Sequence, residues 1–360
     1  MVIALDVDGA VPAHFAAGAS PLSELLACLH TLAEPEHHPE SRPWLAAVRE
    51  HLTDPLVQKL HYHAPLWARY RCRLLFPLRT PLDRELTAEL DTLNRLDERL
   101  FVELAASGIR GTSFAGADNL HDEANRRAFI KASERHSFSR GELARALMDD
   151  PASFQTELIA TIERCAAAFF DAEWSRIGPR LRDTAAKVRA QLRRESPSTV
   201  LISVVPTASV TERPARVRYD KLQTGFGRVS DNGCFLVPTL HGWPHLILKL
   251  DPGLPIVVHF AAGDWEQRPA LPQSLIRDRL AAIAEPGRFE MCRHLLGEPI
   301  TTSELAERMG ISEPQVSRHL KRLRQVGLVT SRREGRMVYH RLHAQLLQTL
   351  GSDVLTTIMR

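Results

Sequence analysis

No apolar run in the chain approaches the roughly 20 residues a membrane-spanning helix requires. The opening MVIALDVDGAV places Asp6 and Asp8 among its apolar residues and has no basic leader, so a signal peptide is not expected and the cytoplasm is the expected compartment. Cysteine is scarce: Cys28, Cys72, Cys165, Cys234 and Cys292 are scattered and odd in number, which fits reduced buried thiols better than a disulfide framework. Catalytic signatures are missing too. Asp6-x-Asp8-Gly9 shares only its Asp-x-Asp with phosphotransferases, and no glycine-rich phosphate loop or βαβ repeat follows. Gly225-Phe226-Gly227 lacks the third glycine and following helix of a dinucleotide site, and no Ser-His-Asp elbow is visible. An enzyme is not expected, and no cofactor is.

At 360 residues the chain can bury two or three cores. With 44% apolar and 25% charged residues it has the composition of an ordinary globular protein. The net charge of +3 hides an asymmetry: residues 270–360 hold 14 Arg and Lys against 9 Asp and Glu, while the first 269 hold 32 against 34. The cationic surplus is C-terminal, where a nucleic-acid reader would want it.

That surplus centres on Ser312–Arg341. Val316, Leu320 and Leu323 fall at helical spacing, leaving Ser317, Arg318, Lys321, Arg322 and Gln325 on other faces. Ser312 with Gln315 forms a capping-box pattern, and Pro314 sits in the first turn, where a missing N–H costs nothing. Gly327 supplies the stop. Leu328-Val329-Thr330 and Met337-Val338-Tyr339 then read as two short strands about a Glu-Gly turn, a wing. Upstream, Thr301 with Glu304 opens a short helix through Leu305, Ala306 and Met309 that ends at Gly310. Two helices across a Gly-Ile turn followed by a ribbon make a winged helix-turn-helix. Ser312–Arg341 carries eight Arg or Lys against two Glu, which suits a phosphate backbone.

These residues also carry a resemblance. Ala284-Glu285-Pro286-Gly287-Arg288 resembles the Leu-Ala-Asp-Pro-x-Arg opening of ArsR-type (arsenic-repressor-like) regulators. Glu304-Leu305-Ala306, Ser317-Arg318-His319-Leu320 and Glu334-Gly335-Arg336 are similar to their helix-turn-helix and wing. The likeness covers residues 272–350 and implies a domain that dimerises through flanking helices and reads an operator with the second helix of the motif. One departure matters: the metal-sensing members carry a Cys-x-Cys pair on the helix before the recognition helix, and Thr301–Met309 holds no Cys. Thiolate sensing needs those soft ligands, so it is not carried over.

Elsewhere the chain reads as a helical domain over 1–195, a small antiparallel β region over 196–265 and the winged domain over 266–360. The expected fold class is mainly α with small antiparallel β. Helices are expected at Pro21–Leu32, Trp44–Leu52 and Pro55–Leu60, as one long helix from Leu82 to near Gly108, at Asn119–Ser133 and Gly141–Met148, and over Ala152–Leu192 with a break near Gly178-Pro179. A Gly/Ser/Ala loop is expected over Gly108–Gly116. Val200–Val205, Cys234–Pro238, Leu246–Leu250 and Ile256–Phe260 read as strands, with Phe235–Pro238 and His245–Leu250 as neighbours in a meander turning at Trp243-Pro244. Helices over Pro269–Ala284 and Leu342–Ile358 keep apolar stripes and are expected to form a dimer interface. The layout, with segments such as SPLSELL and LVPTLHGWPHLILKLDPGLP, resembles an uncharacterised helical domain that accompanies ArsR-type readers and brings no established ligand.

Two other constellations are weighed. His51, His61, His63 and the pair His37-His38 invite a metal reading, but a spacing of two puts both rings on one side only in a strand, so surface histidines and no metal site are expected. Trp67, Arg69, Tyr70, Arg71 and Arg73 interleave aromatics and cations, and a helix with snorkelling arginines is expected there rather than a ligand site.

The sequence thus points to a DNA-binding transcription regulator, expected to repress as a homodimer. It would read a pseudo-palindromic double-stranded operator through recognition helix 312–326 and wing 328–341, without a thiolate metal site. Gln315, Ser317, Arg318 and His319 are the candidates for base edges. Ser312, Lys321, Arg322, Arg332, Arg333 and Arg336 complete the expected DNA-binding set, the cations mainly on phosphates. The helical domain leaves room for an unidentified small-molecule effector, and no membrane partner is expected. The alternatives are an enzyme or ligand-binding domain fused to an autoregulatory winged helix, and a winged helix that binds protein.

Overall fold

The structure is a computed structural model that describes residues 2–35, 38, 41–68, 70–111, 119–205, 207–221, 224–243, 245–262, 271–297, 299–335 and 337–358. Expectations resting on His37, Arg69, residues 112–116, Pro244, residues 269–270 and Arg336 lie outside the described residues. The chain divides into two compact units, residues 1–267 and 268–359.

In the first unit, β1 (Val2–Asp6) and β2 (Phe15–Ala17) lead into α1 (Pro21–Ala33). Then come α2 (Arg42–Arg49), α3 (Asp54–His63), α4 (Leu86–Asn94), α5 (Glu98–Arg110), α6 (Glu123–His136), α7 (Phe138–Asp149) and α8 (Pro151–Cys165). A π-helical stretch, Ala166–Phe170, joins α8 to α9 (Asp171–Leu192), and α10 (Pro197–Val204) closes the helical part. After it come β3 (Ser209–Glu212), β4 (Ala215–Asp220), β5 (Gly225–Arg228), the single turn α11 (Val229–Asn232), β6 (Cys234–Thr239), β7 (Ile247–Lys249) and β8 (Ile256–Ala261).

Two four-stranded sheets form, in the orders β3-β4-β1-β5 and β2-β6-β8-β7. Both draw a strand from the first 17 residues: β1 pairs antiparallel with β4 and parallel with β5, and β2 pairs parallel with β6. The boundary expected at residue 195 therefore does not separate compact units, because the sheets are completed across it. The expected meander is also replaced. The strands β6 and β7 are not neighbours; β8 lies between them, parallel to β6 and antiparallel to β7.

Two expectations are corrected by capping and a third by a π-helical stretch. The long helix expected from Leu82 is two helices, α4 and α5, because Asp97 Oδ2 accepts the Leu100 N–H and starts a new helix. Val200–Val205 is not a strand. Ser196 Oγ accepts the Thr199 N–H and Pro197 occupies the first turn, so a β-branched run folds as α10. The break expected near Pro179 lies instead at the π-helical stretch, and α9 runs through Pro179.

The first unit is arranged about α1, which is buried on nearly every side, polar residues included. Such burial requires a partner for each polar group. At its start, Glu89 accepts from Leu22 N (2.8 Å) and Ser20 Oγ (3.1 Å), a carboxylate on a helix N-terminus. Burial nonetheless pushes the Glu89 carboxyl up to about 7. One turn on, Glu24 accepts from His241 N (2.8 Å) and Leu240 N (3.1 Å), and Thr31 Oγ1 donates to His241 O (3.3 Å). The turn between β6 and β7 is thereby fastened along α1. His241 Nε2 also contacts Glu173 at 2.6 Å. Burial alone raises the Glu173 carboxyl, but hydrogen bonds from His241 and Arg176 outweigh it and hold the group at about 2.

The aromatic and basic segment after α3 is not a helix with snorkelling arginines. It folds as short 3-10 turns, with Trp67 and Arg73 fully buried. Arg73 donates to the carbonyls of Phe76, Pro77 and Pro255 and faces Asp251 at 3.4 Å. Buried Lys249 lies 3.5 Å from the centroid of the Tyr70 ring, and burial lowers its ammonium to about 7. All five cysteines are buried and unpaired by disulfides.

The second unit contains α12 (Gln273–Ala284), α13 (Pro286–Gly297), β9 (Ile300–Thr301), α14 (Thr302–Met309), α15 (Glu313–Gln325), β10 (Val329–Glu334), β11 (Met337–Leu342) and α16 (Ala344–Ile358). Its sheet runs β10-β11-β9. The hairpin is longer than the sequence suggested, registering from Val329↔Leu342 to Glu334↔Met337. The core gathers Met291, Leu295, Ile300, Leu305, Val316, Leu320, Leu323, Leu328 and Leu342. Each such side chain contributes roughly 1.5–3 kcal/mol by burial.

Candidate nucleic-acid interface

The interface is built on α15. Val316, Leu320 and Leu323 are at most 1% exposed, so the helix cannot roll, and the polar positions between them are fixed outward. Glycines at positive φ close both ends of the motif: Gly310 (φ 65°) after α14 and Gly327 (φ 78°) after α15. Gly335 (φ 59°) makes the wing tip.

The expected contact residues divide into two groups. Ser317, Arg318 and Lys321 are exposed along α15, and Arg332 and Arg333 are exposed on β10, with Arg333 Nε donating to Gly335 O (3.2 Å). Four others are engaged within the unit. Gln315 Oε1 accepts from both the N–H (3.1 Å) and the hydroxyl (3.0 Å) of Ser312, so the capping box occupies two of the expected contact residues. His319 Nδ1 lies 3.7 Å from Glu285 Oε2. Arg322 Nη2 donates to Asp278 Oδ1 at 3.0 Å. The Thr301–Glu304 box is only half formed: Thr301 Oγ1 accepts the Glu304 N–H, while Glu304 pairs with Arg308 at 2.6 Å.

Four supporting side chains lie outside the expected contact set, and the sequence singled out two of them, Glu285 and Arg288. Glu285 accepts the N–H groups of Gly287 (3.0 Å) and Arg288 (2.8 Å), starting α13. Solvent loss raises its carboxyl, but these bonds together with the charges of His319 and Arg288 outweigh it and bring the group below its ordinary value. Arg288 latches back onto the carbonyls of Ala282 (2.6 Å) and Ala281 (3.1 Å). Buried Arg279 donates to Val326 O (3.1 Å), satisfying a carbonyl at the end of α15. His340 Nδ1 meets Ser331 Oγ (2.8 Å) and its Nε2 meets Thr302 Oγ1 (3.2 Å), tying the wing to α14; burial lowers its pKa. The resemblance to the ArsR-type opening motif flags Glu285 and Arg288 in sequence, but nothing local flags Arg279, whose partner lies 47 residues away, or the tie from His340 to Thr302 across 38 residues.

Arg279 thus braces the end of α15 and Arg288 the junction of α12 and α13, and the arrangement presents cations and hydroxyls on a helix and a hairpin. Such a surface suits phosphates and base edges. In the first unit, the described residues hold one group suited to a metal ion, His30, His38 and His245. Of the histidines weighed in sequence, His51 and His61 are exposed, and His63 is buried with Nδ1 3.1 Å from Lys59 O.

A family model described as a family of unknown function (DUF5937) matches residues 1–266, and one described as a helix-turn-helix domain matches residues 283–332. The chain is similar to the transcriptional repressor SdpR of Bacillus subtilis, 34% identical over 67 residues, 19% of this chain and 74% of that protein. It is also similar to the arsenic resistance transcriptional regulator ArsR1 of Pseudomonas putida, 44% identical over 45 residues, which cover 12% of this chain and only 35% of that protein. Among solved structures, an ArsR-like transcriptional regulator from Rhodococcus sp. RHA1 is 26% identical, with 22% of this chain and 76% of that one covered and a TM-score of 0.22. No described helix is long and apolar enough to cross a membrane.

Proposed function

The chain belongs to the DUF5937 family and is a DNA-binding transcription regulator with an ArsR-type helix-turn-helix at its C-terminus; from that premise we propose that it is a homodimeric cytoplasmic repressor, not an enzyme. Two copies of α15 enter successive major grooves of a pseudo-palindromic operator, about one DNA turn apart. The observation that carries the reading is the outward row Ser317, Arg318 and Lys321 on a helix locked by its buried stripe, beside a wing bearing Arg332 and Arg333. Arg318 and Ser317 read base edges, and Lys321 with the wing arginines, Arg336 among them, holds phosphates. Gln315 and Ser312 serve first as the cap, and His319 and Arg322 reach DNA only by leaving Glu285 and Asp278.

The dimer is supported by apolar side chains that the unit leaves uncovered on its flanking helices: Leu280 is 43% exposed on α12, and Leu355 and Ile358 are 42% and 66% exposed on α16.

The test is binding of the full-length protein to DNA from upstream of its own gene, by fluorescence anisotropy across a salt series and against scrambled competitor. A preference of about a thousandfold or more, with log affinity falling linearly in log salt, is the expected result. Binding without preference would leave a non-specific DNA binder and remove the operator from the reading.

A further inference from the structure

We propose that His30, His38 and His245 form a binding site for a divalent transition metal ion of borderline softness, Zn²⁺ or Co²⁺, in the N-terminal unit. The three residues come from distant places in the chain: the last turns of α1, the segment between α1 and α2, and the turn between β6 and β7. Their candidate ligand atoms all lie within 4.8 Å of one another, and their exposures are 2%, 0% and 8%. The rings converge almost symmetrically, with centroids 5.0, 5.1 and 5.3 Å apart and interplanar angles of 76°, 80° and 66°. Edge-on convergence directs ring nitrogens toward a common centre.

The geometry suits coordination. His30 Nε2 and His245 Nε2 are 3.2 Å apart. Two nitrogens each ~2.0–2.1 Å from a tetrahedral zinc are separated by about 3.3–3.4 Å. His30 Nδ1 lies 3.0 Å from Trp67 O. A carbonyl oxygen can only accept, so Nδ1 carries the hydrogen and Nε2 presents its lone pair inward. That outer hydrogen bond is the usual device for fixing the tautomer of a ligating histidine.

The surrounding structure is built to hold the set. Glu24 and Thr31, about two turns apart on α1, grip the turn at Leu240 and His241. Gly242 N donates to Thr239 Oγ1 (2.9 Å) and His245 N to Gly242 O (2.8 Å), so the same turn delivers His245 opposite His30. His38 is set by two backbone turns, His38 N to Pro35 O (3.1 Å) and Ser41 N to His38 O (2.9 Å). Three polar rings converging in a core cost desolvation, which coordination offsets directly. Three neutral ligands leave a dication its full charge and a fourth position open for an anion. Arg71, whose charge acts on His30 and whose Nη2 is buried without a hydrogen-bond partner among the described residues, provides a donor for that anion. Imidazole ligands suit zinc, cobalt and nickel, and the absence of thiolate disfavours Cu(I) and arsenite.

The test uses the full-length protein freed of metal by chelation, titrated with Co²⁺ and then with Zn²⁺ against a chromophoric chelator. The expected result is one equivalent per chain, with the intense visible d–d absorption of four-coordinate Co²⁺, bleached by Zn²⁺. H38Q and H245Q should each lose affinity by more than the roughly 10–100-fold that loss of an outer-shell partner costs, while H121Q, at an exposed position, binds as wild type. H245C, which keeps a ligand, should add a sulfur-to-cobalt charge-transfer band even if the glutamine variants misfold. A missing d–d band, unchanged affinity in H38Q and H245Q, or no new band in H245C would each overturn the site. The readout does not involve DNA, so it stands or falls apart from operator binding.

Discussion

Arg322 of α15 donates from Nη2 to Asp278 Oδ1 of α12 at 3.0 Å, so a cation proposed to contact phosphate is already held by a carboxylate of its own domain. The pair is about half exposed, 42% and 54%, and contributes at most about 1 kcal/mol to stability. Releasing Arg322 should therefore affect DNA more than folding. D278N is expected to tighten binding to operator and scrambled DNA alike and to steepen the plot of log affinity against log salt by about 0.9. An unchanged slope would mean that Arg322 makes no phosphate contact even when released.

Arg318 and Lys321 share one exposed face but are assigned different roles. R318A should cost about 1–3 kcal/mol on the operator and little on scrambled DNA, narrowing the preference. K321A should weaken both by the same factor and flatten the salt slope by about 0.9. Exchange of these two outcomes would reverse the assignment along the helix.

Leu355 and Ile358 are exposed apolar residues on the last helix. The double substitution L355D/I358D should yield a monomer by light scattering while far-UV circular dichroism is retained, and operator affinity should drop with the loss of the second half-site. A dimer of unchanged mass would exclude α16 from the interface.

His63 gives the first unit a defined response to acid. It is fully buried, and burial pushes its pKa down to about 4, against partial opposition from the Lys59 carbonyl and Glu157. The unfolded chain binds a proton near pH 6.5 that the folded chain refuses until about pH 4. Its contribution is therefore complete above pH 6.5 and is lost as pH falls from 6.5 to 4, by about 3 kcal/mol in all. His259, held near 3 by burial and Arg71, acts in the same sense. H63F should lose less stability than wild type over that window in urea titrations; parallel curves would assign the acid sensitivity elsewhere.

The winged domain was legible because its signals are local. Ser312 and Gln315 stand three apart and do form the cap, and Gly310 and Gly327 do take positive φ. The first unit was much less legible, because its determinants are far apart in the chain. Val200–Val205 looked like a strand by composition, yet the cap at Ser196 and Pro197, visible in the sequence, outweighed β-branching. The histidine cluster had no local signature, since His30 and His245 are 215 positions apart and His30 sits in what reads as an ordinary apolar helix. Within the interface, the sequence identified exposed positions on α15 but gave no sign that Asp278 and Glu285 engage two of them.

The strand that opens the chain has its partner far downstream: Leu5 of β1 is in register with Val217 of β4. A ribosome adding roughly 5–20 residues per second makes β1 wait on the order of ten to forty seconds before β4 has even been synthesised. Throughout that interval β1 and β2 are unpaired edges on a nascent chain, while α1 lacks the turn that satisfies Glu24. The DNA reader, by contrast, closes from consecutive elements soon after its last helix leaves the exit tunnel. The front of the protein thus stays open longest during synthesis, and the DNA reader, made last, has the shorter wait of the two units.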